Sequence, residues 1–252
     1  MSEYELIDRI HEDVNRLGVG VGSKLLVHSS LSSMGRVTGG TETVIQGLIN
    51  ALGQEGTLLL PALSYRHVDL DHPVFSLMDT PSNVGAIPEY FRTRPGTHRS
   101  IHPTHSVCGV GPLAESILRE HHLDDTPCGK RSPYRRLKDL GGQILFLGCG
   151  LRPNTSMHAV EELVQPSYLF GSLVAFRAIL PDGRELTGNC RRHGFAGWGQ
   201  RYDRLGPLLG EDGLKEGKIL NATIHLVDCC RMWHEAEMAM RKDPYFFVER
   251  RS

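Results

Sequence analysis

The apolar run Ile144-Leu145-Phe146-Leu147, bracketed by Gly142 and Gly148 and followed directly by a helical pattern, most restricts the folds open to this chain. Consecutive apolar residues between glycines read as a short strand buried on both faces. Through Gly148-Cys149-Gly150 the chain then turns into a segment starting near Asn154 and running to Val164. Asn154 or Thr155 is expected to cap a helix there, its side-chain oxygen accepting from a first-turn amide. Strand, glycine turn and helix in this order read as a catalytic turn, since ligand sites in α/β sheets favour the carboxyl ends of strands.

On that helix His158 and Glu161 are three residues apart and share a face. Glu161 can hold one imidazole nitrogen as a donor, which leaves the other bare as an acceptor, the tautomer a general base needs. Thr155 lies three residues before His158 on the same face, and its hydroxyl can donate to an oxyanion forming beside the base. The same spacing also serves plain surface hydrogen bonds, so the pair gains weight only from its place after a glycine-rich strand end.

A chain of 252 residues, 40% of them hydrophobic, can bury one large core, and no linker or repeat divides it, so one domain over 1–252 is expected. Its 28 Lys and Arg against 29 Asp and Glu leave a net charge of −1, which gives no global field for nucleic acid or an anionic membrane. No apolar run long enough to span a bilayer and no leader pattern at Met1 are seen, which predicts a cytoplasmic protein. The cysteines Cys108, Cys128, Cys149, Cys190, Cys229 and Cys230 show no disulfide-type spacing.

Earlier in the chain, Leu6, Ile7, Ile10, Val14 and Leu17 predict an amphipathic helix over 3–17 ending near Gly18. Leu25-Leu26-Val27 predicts a strand that runs into a loop of serines and glycines from His28 to Gly40. Thr41 is expected to cap a helix from Glu42 to Leu52. Such a loop before a helix start makes a plausible cradle for phosphates or an extended polar chain, through exposed amides and hydroxyls. A strand after Gly56 delivers Ser64-Tyr65-Arg66-His67 to the same edge of the sheet, and residues 68 to 83 read as an irregular wall. A helix from Val84 to Arg92 should bring Ile87, Tyr90 and Phe91 to the core. Helices are also expected over Leu113–Glu120, over Tyr134–Leu140 after Ser132-Pro133, around Gln200–Leu209 and over Cys229–Arg241. Pro181-Asp182-Gly183 reads as a hairpin turn between Val174–Leu180 and Arg184–Thr187, and Leu220–Val227 as a strand.

His98, His102 and His105 fall within eight residues, and Cys190 stands near His193. Neither has the convergent short spacing of a zinc site, and no His-Glu-x-x-His or Cys-x-x-Cys pattern occurs, so no metal is expected.

Five separated patterns together resemble the aminoglycoside 3-N-acetyltransferase, or antibiotic N-acetyltransferase, family, which is distinct from the GNAT superfamily. They are Val27-His28-Ser29-Ser30-Leu31-Ser32-Ser33-Met34-Gly35, Thr80 to Glu89, Arg99 to Val107, Gly129 to Tyr134 and Asn154 to Glu161, spread over about residues 3 to 240. The resemblance implies an α/β fold, a mixed central sheet flanked by helices in a single domain, with acetyl-coenzyme A as acetyl donor. It matches Ser30, Leu31, Ser32, Met34, Gly35, Val37, Ser106 and Val107 to coenzyme A contacts. It also makes His158 the base, Glu161 its orienting partner and Thr155 the support of the tetrahedral intermediate, in direct transfer to an amine.

The acceptor is expected to be a small-molecule amine, by resemblance the 3-amino group of an aminoglycoside, with Tyr65, Asp69 and Glu162 as its contacts. A nearly neutral chain fits a polycation less well than an acidic one, so an amine carrying a phosphate, phosphonate or nucleotide is the second acceptor class. Three rivals remain at this stage: a ping-pong route through acetylated Cys149 or Cys108, a non-catalytic coenzyme A- or nucleotide-binding module, and a metal-dependent hydrolase, for which the ligand motif is missing. No oligomeric state follows from the pattern.

Overall fold

A computed structural model describes residues 1–195 and 197–251. The chain runs α1 (Glu3–Leu17), β1 (Lys24–Ser29), α2 (Gly40–Leu52), β2 (Thr57–Pro61), β3 (Val74–Ser76), α3 (Ala86–Thr93), β4 (His98–Arg99) and β5 (Val107–Val110). It continues through α4 (Ala114–Leu118), α5 (Pro133–Asp139), β6 (Gln143–Leu147), α6 (Ser156–Val164), β7 (Phe170–Ile179) and β8 (Glu185–His193). The last elements are β9 (Trp198–Gln200), α7 (Leu205–Gly213), β10 (Leu214–Ile219), β11 (Ala222–Asp228), α8 (Cys229–Lys242) and β12 (Val248–Arg250).

A mixed seven-stranded sheet in the order β10-β11-β6-β1-β2-β5-β4 forms the centre. The neighbours β6, β1 and β2 pair in parallel, and antiparallel pairings extend the sheet on both sides. Period two explains why the central strands read as continuous apolar runs. Leu25, Val27, Leu58, Leu60, Leu145 and Leu147 face α1, α2 and α3, whereas Leu26, Leu59, Ile144 and Phe146 face the layer of α4 to α8. Each such side chain contributes on the order of 1.5–3 kcal/mol by leaving water.

Local chemistry fixes the helix ends. In α1 the Ser2 hydroxyl accepts from the Glu5 amide while Glu5 reaches back to the Ser2 amide, and Gly18 closes the helix at φ 110°. Asp228 caps α8 by accepting from the Arg231 amide at 2.8 Å.

Several sequence expectations are corrected. Thr41 does not cap α2, which begins at Gly40 behind a left-handed Gly39 with no side-chain cap. Nor does Asn154 or Thr155 cap α6: Thr155 stands in the cap position with a helical backbone and no capping bond, and the Asn154 amide donates to Met232 Sδ at 3.2 Å. Ile87 and Phe91 are buried as expected, but Tyr90 is 41% exposed. On so short a helix it lies at the flank, where a phenol tolerates water. The expected helix from Gln200 is instead β9, a 3-10 turn at Tyr202–Arg204 and α7, broken by Gly210 at φ 62°. The irregular wall contributes β3, which pairs with β7 and, with β8, forms a separate three-stranded sheet. The second hairpin strand runs on past Thr187 to His193.

The parallel strands β1, β2 and β6 end at one edge. There Gly148 adopts φ 71°, and a Cβ on it would fall 1.7 Å from Ser33 Oγ. Only glycine lets the β6 turn and the loop after β1 approach so closely. Among the described residues no helix is long and apolar enough to cross a membrane.

Candidate active site

A cavity of about 650 Å³ opens at that edge, lined by Val27, His28 and Ser29 from β1, Tyr65 after β2, Cys149 to Thr155 less Gly150 and Leu151, and His158 from α6. His105, His193, Phe195 and Tyr202 complete its inner end. The size suits a small-molecule site.

The helix starting after β6 carries His158 in its first turn, with a side chain only 12% exposed. His158 Nδ1 lies 3.0 Å from Glu161 Oε2, as the three-residue spacing predicts. Two tyrosines that sequence reasoning missed complete the arrangement. The Tyr202 hydroxyl donates to Glu161 Oε2 at 2.8 Å and also lies 2.8 Å from His158 Nδ1, while Tyr168 donates to Glu161 Oε1 at 3.0 Å. Burial first, and then the Glu161 charge, push both phenols up, so they stay protonated donors. A carboxylate and a phenol oxygen around Nδ1 keep the imidazole proton there, and Nε2 is left as the acceptor.

Substituting Tyr202→Phe removes one donor to a fully buried carboxylate and leaves Tyr168 and His158 in place. A hydrogen bond to a charged group contributes about 1.5 kcal/mol or more, so turnover is expected to fall roughly tenfold while the fold is kept. Steady-state kinetics beside a melting curve checks this, and an unchanged kcat contradicts it.

The other sequence-selected residues are placed as follows. Thr155 and Tyr65 line the cavity, and Tyr65 is 41% exposed. Glu162 does not line it: this carboxyl accepts from the Thr126 hydroxyl at 2.6 Å and the Cys128 amide at 2.8 Å, and pairs with His193 Nε2 at 2.8 Å. Burial pushes it up to about 7. Asp69 also stands apart, accepting from the Asp71 and His72 amides in a turn. In the loop after β1, Ser30, Ser32 and Gly35 reach the surface region, Leu31 and Val37 are half-buried against the core, and Met34 is buried in it. Ser106 and Val107 are fully buried, and the Ser106 hydroxyl is engaged by the Ala62 carbonyl and Arg99.

Of the clustered histidines, His98 is exposed on β4, and His102 is a structural ring whose Nδ1 accepts from the Thr104 and His105 amides. His105 reaches the cavity. Cys149 also lines it, with its thiol pushed up to about 12 by burial; Cys108 is buried, likewise at about 12. Neither is a ready thiolate.

A mixed α/β sheet that presents a carboxylate-steadied imidazole at the mouth of its parallel strands defines the class: an α/β enzyme with its cleft at the strand ends. The chain belongs to the aminoglycoside 3-N-acetyltransferase family, whose family model matches residues 26–241. It is 34% identical over 283 residues to aminoglycoside N(3)-acetyltransferase VIII of Streptomyces fradiae, covering 94% of this chain and 98% of that protein. It is 36% identical over 172 residues to aminoglycoside N(3)-acetyltransferase VII of Streptomyces paromomycinus, a match spanning 62% of this chain and 59% of that one. Among solved structures, a histidine-to-alanine mutant of aminoglycoside acetyltransferase AAC(3)-IVa in complex with a gentamicin superposes with a TM-score of 0.82 at 29% identity, covering 98% and 91% of the two chains. AAC-IIIb in binary complex with CoASH superposes with a TM-score of 0.81 at 25% identity, covering 96% and 97%.

Proposed function

We propose that this protein is a single-domain, acetyl-coenzyme A-dependent N-acetyltransferase that modifies the 3-amino group of an aminoglycoside by direct transfer, with His158 as general base. The observation that carries the reading is the His158, Glu161 and Tyr202 cluster at the cavity, with Nε2 left bare. An aliphatic amine near pH 7 is mostly ammonium and has no lone pair, so only its deprotonated form attacks, and a base must accept the proton that the nitrogen sheds. The amine enters the step in its neutral form: its nitrogen bonds the acetyl carbon, His158 Nε2 takes the one proton the nitrogen sheds, the carbon–sulfur bond breaks, and coenzyme A leaves as thiolate. Thr155, beside the base at the start of α6, supports the oxyanion, with the positive end of the helix behind it.

The donor is read onto the loop after β1 because α2 starts without a side-chain cap, so that apart from the Gly40 amide, which donates to the Val37 carbonyl at 3.0 Å, its first-turn amides are left for phosphate oxygens. The Ser30 and Ser32 hydroxyls lie side by side at 3.2 Å on the approach. AAC-IIIb, which superposes over nearly the whole chain, was solved with CoASH.

A second acceptor class has an observation of its own: the cavity lining holds Arg152, Arg192 and Arg251 and no Asp or Glu. A polycation gains nothing from such a wall, whereas an amine that also carries a phosphate does. Thiol release from acetyl-coenzyme A, measured with gentamicin, apramycin and aminoalkyl phosphates, separates the two. Turnover with the aminoglycosides supports the primary reading; turnover confined to the phosphates replaces its acceptor. Intact-mass measurement of the enzyme with acetyl-coenzyme A alone is expected to show no acetylated protein, and a stoichiometric acetyl adduct on Cys149 would restore the ping-pong route.

A further inference from the structure

Three imidazoles from distant segments meet at the inner end of the cavity: His105 before β5, His158 on α6 and His193 at the end of β8. One ring nitrogen of each lies within 4.8 Å of the others, and the ring centroids are 5.0, 5.2 and 5.8 Å apart. One nitrogen of each ring has a hydrogen-bond partner. His105 Nδ1 pairs with the Thr104 hydroxyl at 2.9 Å, His158 Nδ1 with Glu161 at 3.0 Å, and His193 Nε2 with Glu162 at 2.8 Å. A hydroxyl or carboxylate behind each ring is the outer-shell arrangement that orients histidines on a metal.

The nitrogens left over are His105 Nε2, His158 Nε2 and His193 Nδ1. His193 has a side chain 3% exposed, and its Nδ1 is buried with no hydrogen-bond partner. Buried polar atoms are paired in the great majority of cases, so this one asks for a ligand. The Glu161 carboxylate stands directly behind one of the rings, where its charge offsets part of that of a divalent ion, and the Glu162 carboxyl backs a second ring as a hydrogen-bond partner.

The geometry points to a three-histidine site for a zinc-class divalent cation, whose filling shuts the acetyl-transfer site. Three imidazoles and an open fourth position suit zinc, and the all-nitrogen donor set disfavours magnesium and calcium. Bonds of about 2.0–2.1 Å require ligand nitrogens about 3.4 Å apart, so the rings close inward by roughly an ångström. His158 is the least buried of the three, with a side chain 12% exposed. A metal on His158 Nε2 occupies the lone pair that the amine proton needs; this shut-off clause rests on the base role proposed above, whereas the metal site itself does not.

The test uses chelator-treated, full-length protein titrated with cobalt(II), which absorbs in the visible when bound tetrahedrally. One cobalt per chain is expected, displaced by zinc, with affinity weakened about tenfold or more in both His105→Asn and His193→Asn. Acetylated product, read by mass spectrometry, should stop at one zinc per chain and return with chelator. Absence of stoichiometric binding, or affinity unchanged in both variants, overturns the site. Continued acetylation by the zinc-loaded enzyme overturns the shut-off. If His158→Ala still acetylates, the base reading falls, while loss of cobalt absorption in that same variant sustains the metal site. Should a variant fail to fold, X-ray absorption on the zinc-loaded wild type decides: three imidazole nitrogens support the site, and fewer overturn it.

Discussion

Alanine in place of His158 is expected to lower kcat by a factor on the order of 10²–10⁴, the usual contribution of a positioned base, with little change in KM. That factor corresponds to about 3–5 kcal/mol of barrier. The substitution is a clean test because the fold does not depend on the ring. Glu161 keeps the Tyr168 and Tyr202 hydroxyls as donors once the imidazole is gone, so no buried carboxylate is orphaned. The vacated side chain borders the cavity, where water can fill the space. Thiol release beside a melting curve reads both effects. A variant that turns over within about threefold of wild type at an unchanged melting temperature would contradict the assignment.

Acid is expected to unfold the protein early. Burial holds five histidines neutral: His28 down to about 3, His121 to about 4, and His102, His105 and His193 well below their ordinary 6.5. For a base depressed in the folded state, the unfolded chain binds more protons below pH 6.5. The stability these groups contribute is therefore complete above that pH and is lost as pH falls toward their folded values. Two carboxyls act in the opposite sense. Glu162, raised to about 7, and Asp124, raised to about 6, hold protons in the folded state through this range, and the partly exposed Asp124 counts for less. Five groups against two leave a loss of about 4 kcal/mol between pH 7.5 and 5.5, a large share of the roughly 5–15 kcal/mol typical of a domain. Urea midpoints across that range should fall steadily with pH. A protein as stable at pH 5.5 as at 7.5 would show that these rings are not kept neutral.

What could be read in advance follows from how local each signal is. Helices α1 and α8, with apolar residues every three or four positions, and the buried runs of β1, β2 and β6 were legible because the period itself reports the packing face. The His158 and Glu161 pair was legible for the same reason: one helical turn joins them. The strand β10 was not, because Lys215, Glu216 and Lys218 charge a strand that pairs on one side only, as edge strands commonly are. Residues Val74–Ser76 are too few to show a period. Tyr202 sits in a 3-10 turn 41 positions from the carboxylate it serves, and neither turn nor separation leaves a mark in the sequence. His105 and His193 were each weighed for metal only among their sequence neighbours. Their meeting with His158 depends on three segments whose approach is set by the fold.

The most direct measurement is a crystal structure of the protein with coenzyme A and gentamicin bound together. The expected result has the 3-amino nitrogen within about 3.2 Å of His158 Nε2, the pantetheine sulfur on its far side, and Nδ1 still held by Glu161. An acceptor amine seated away from that ring, or an Nε2 turned into the protein and bonded there, would contradict His158 as the base.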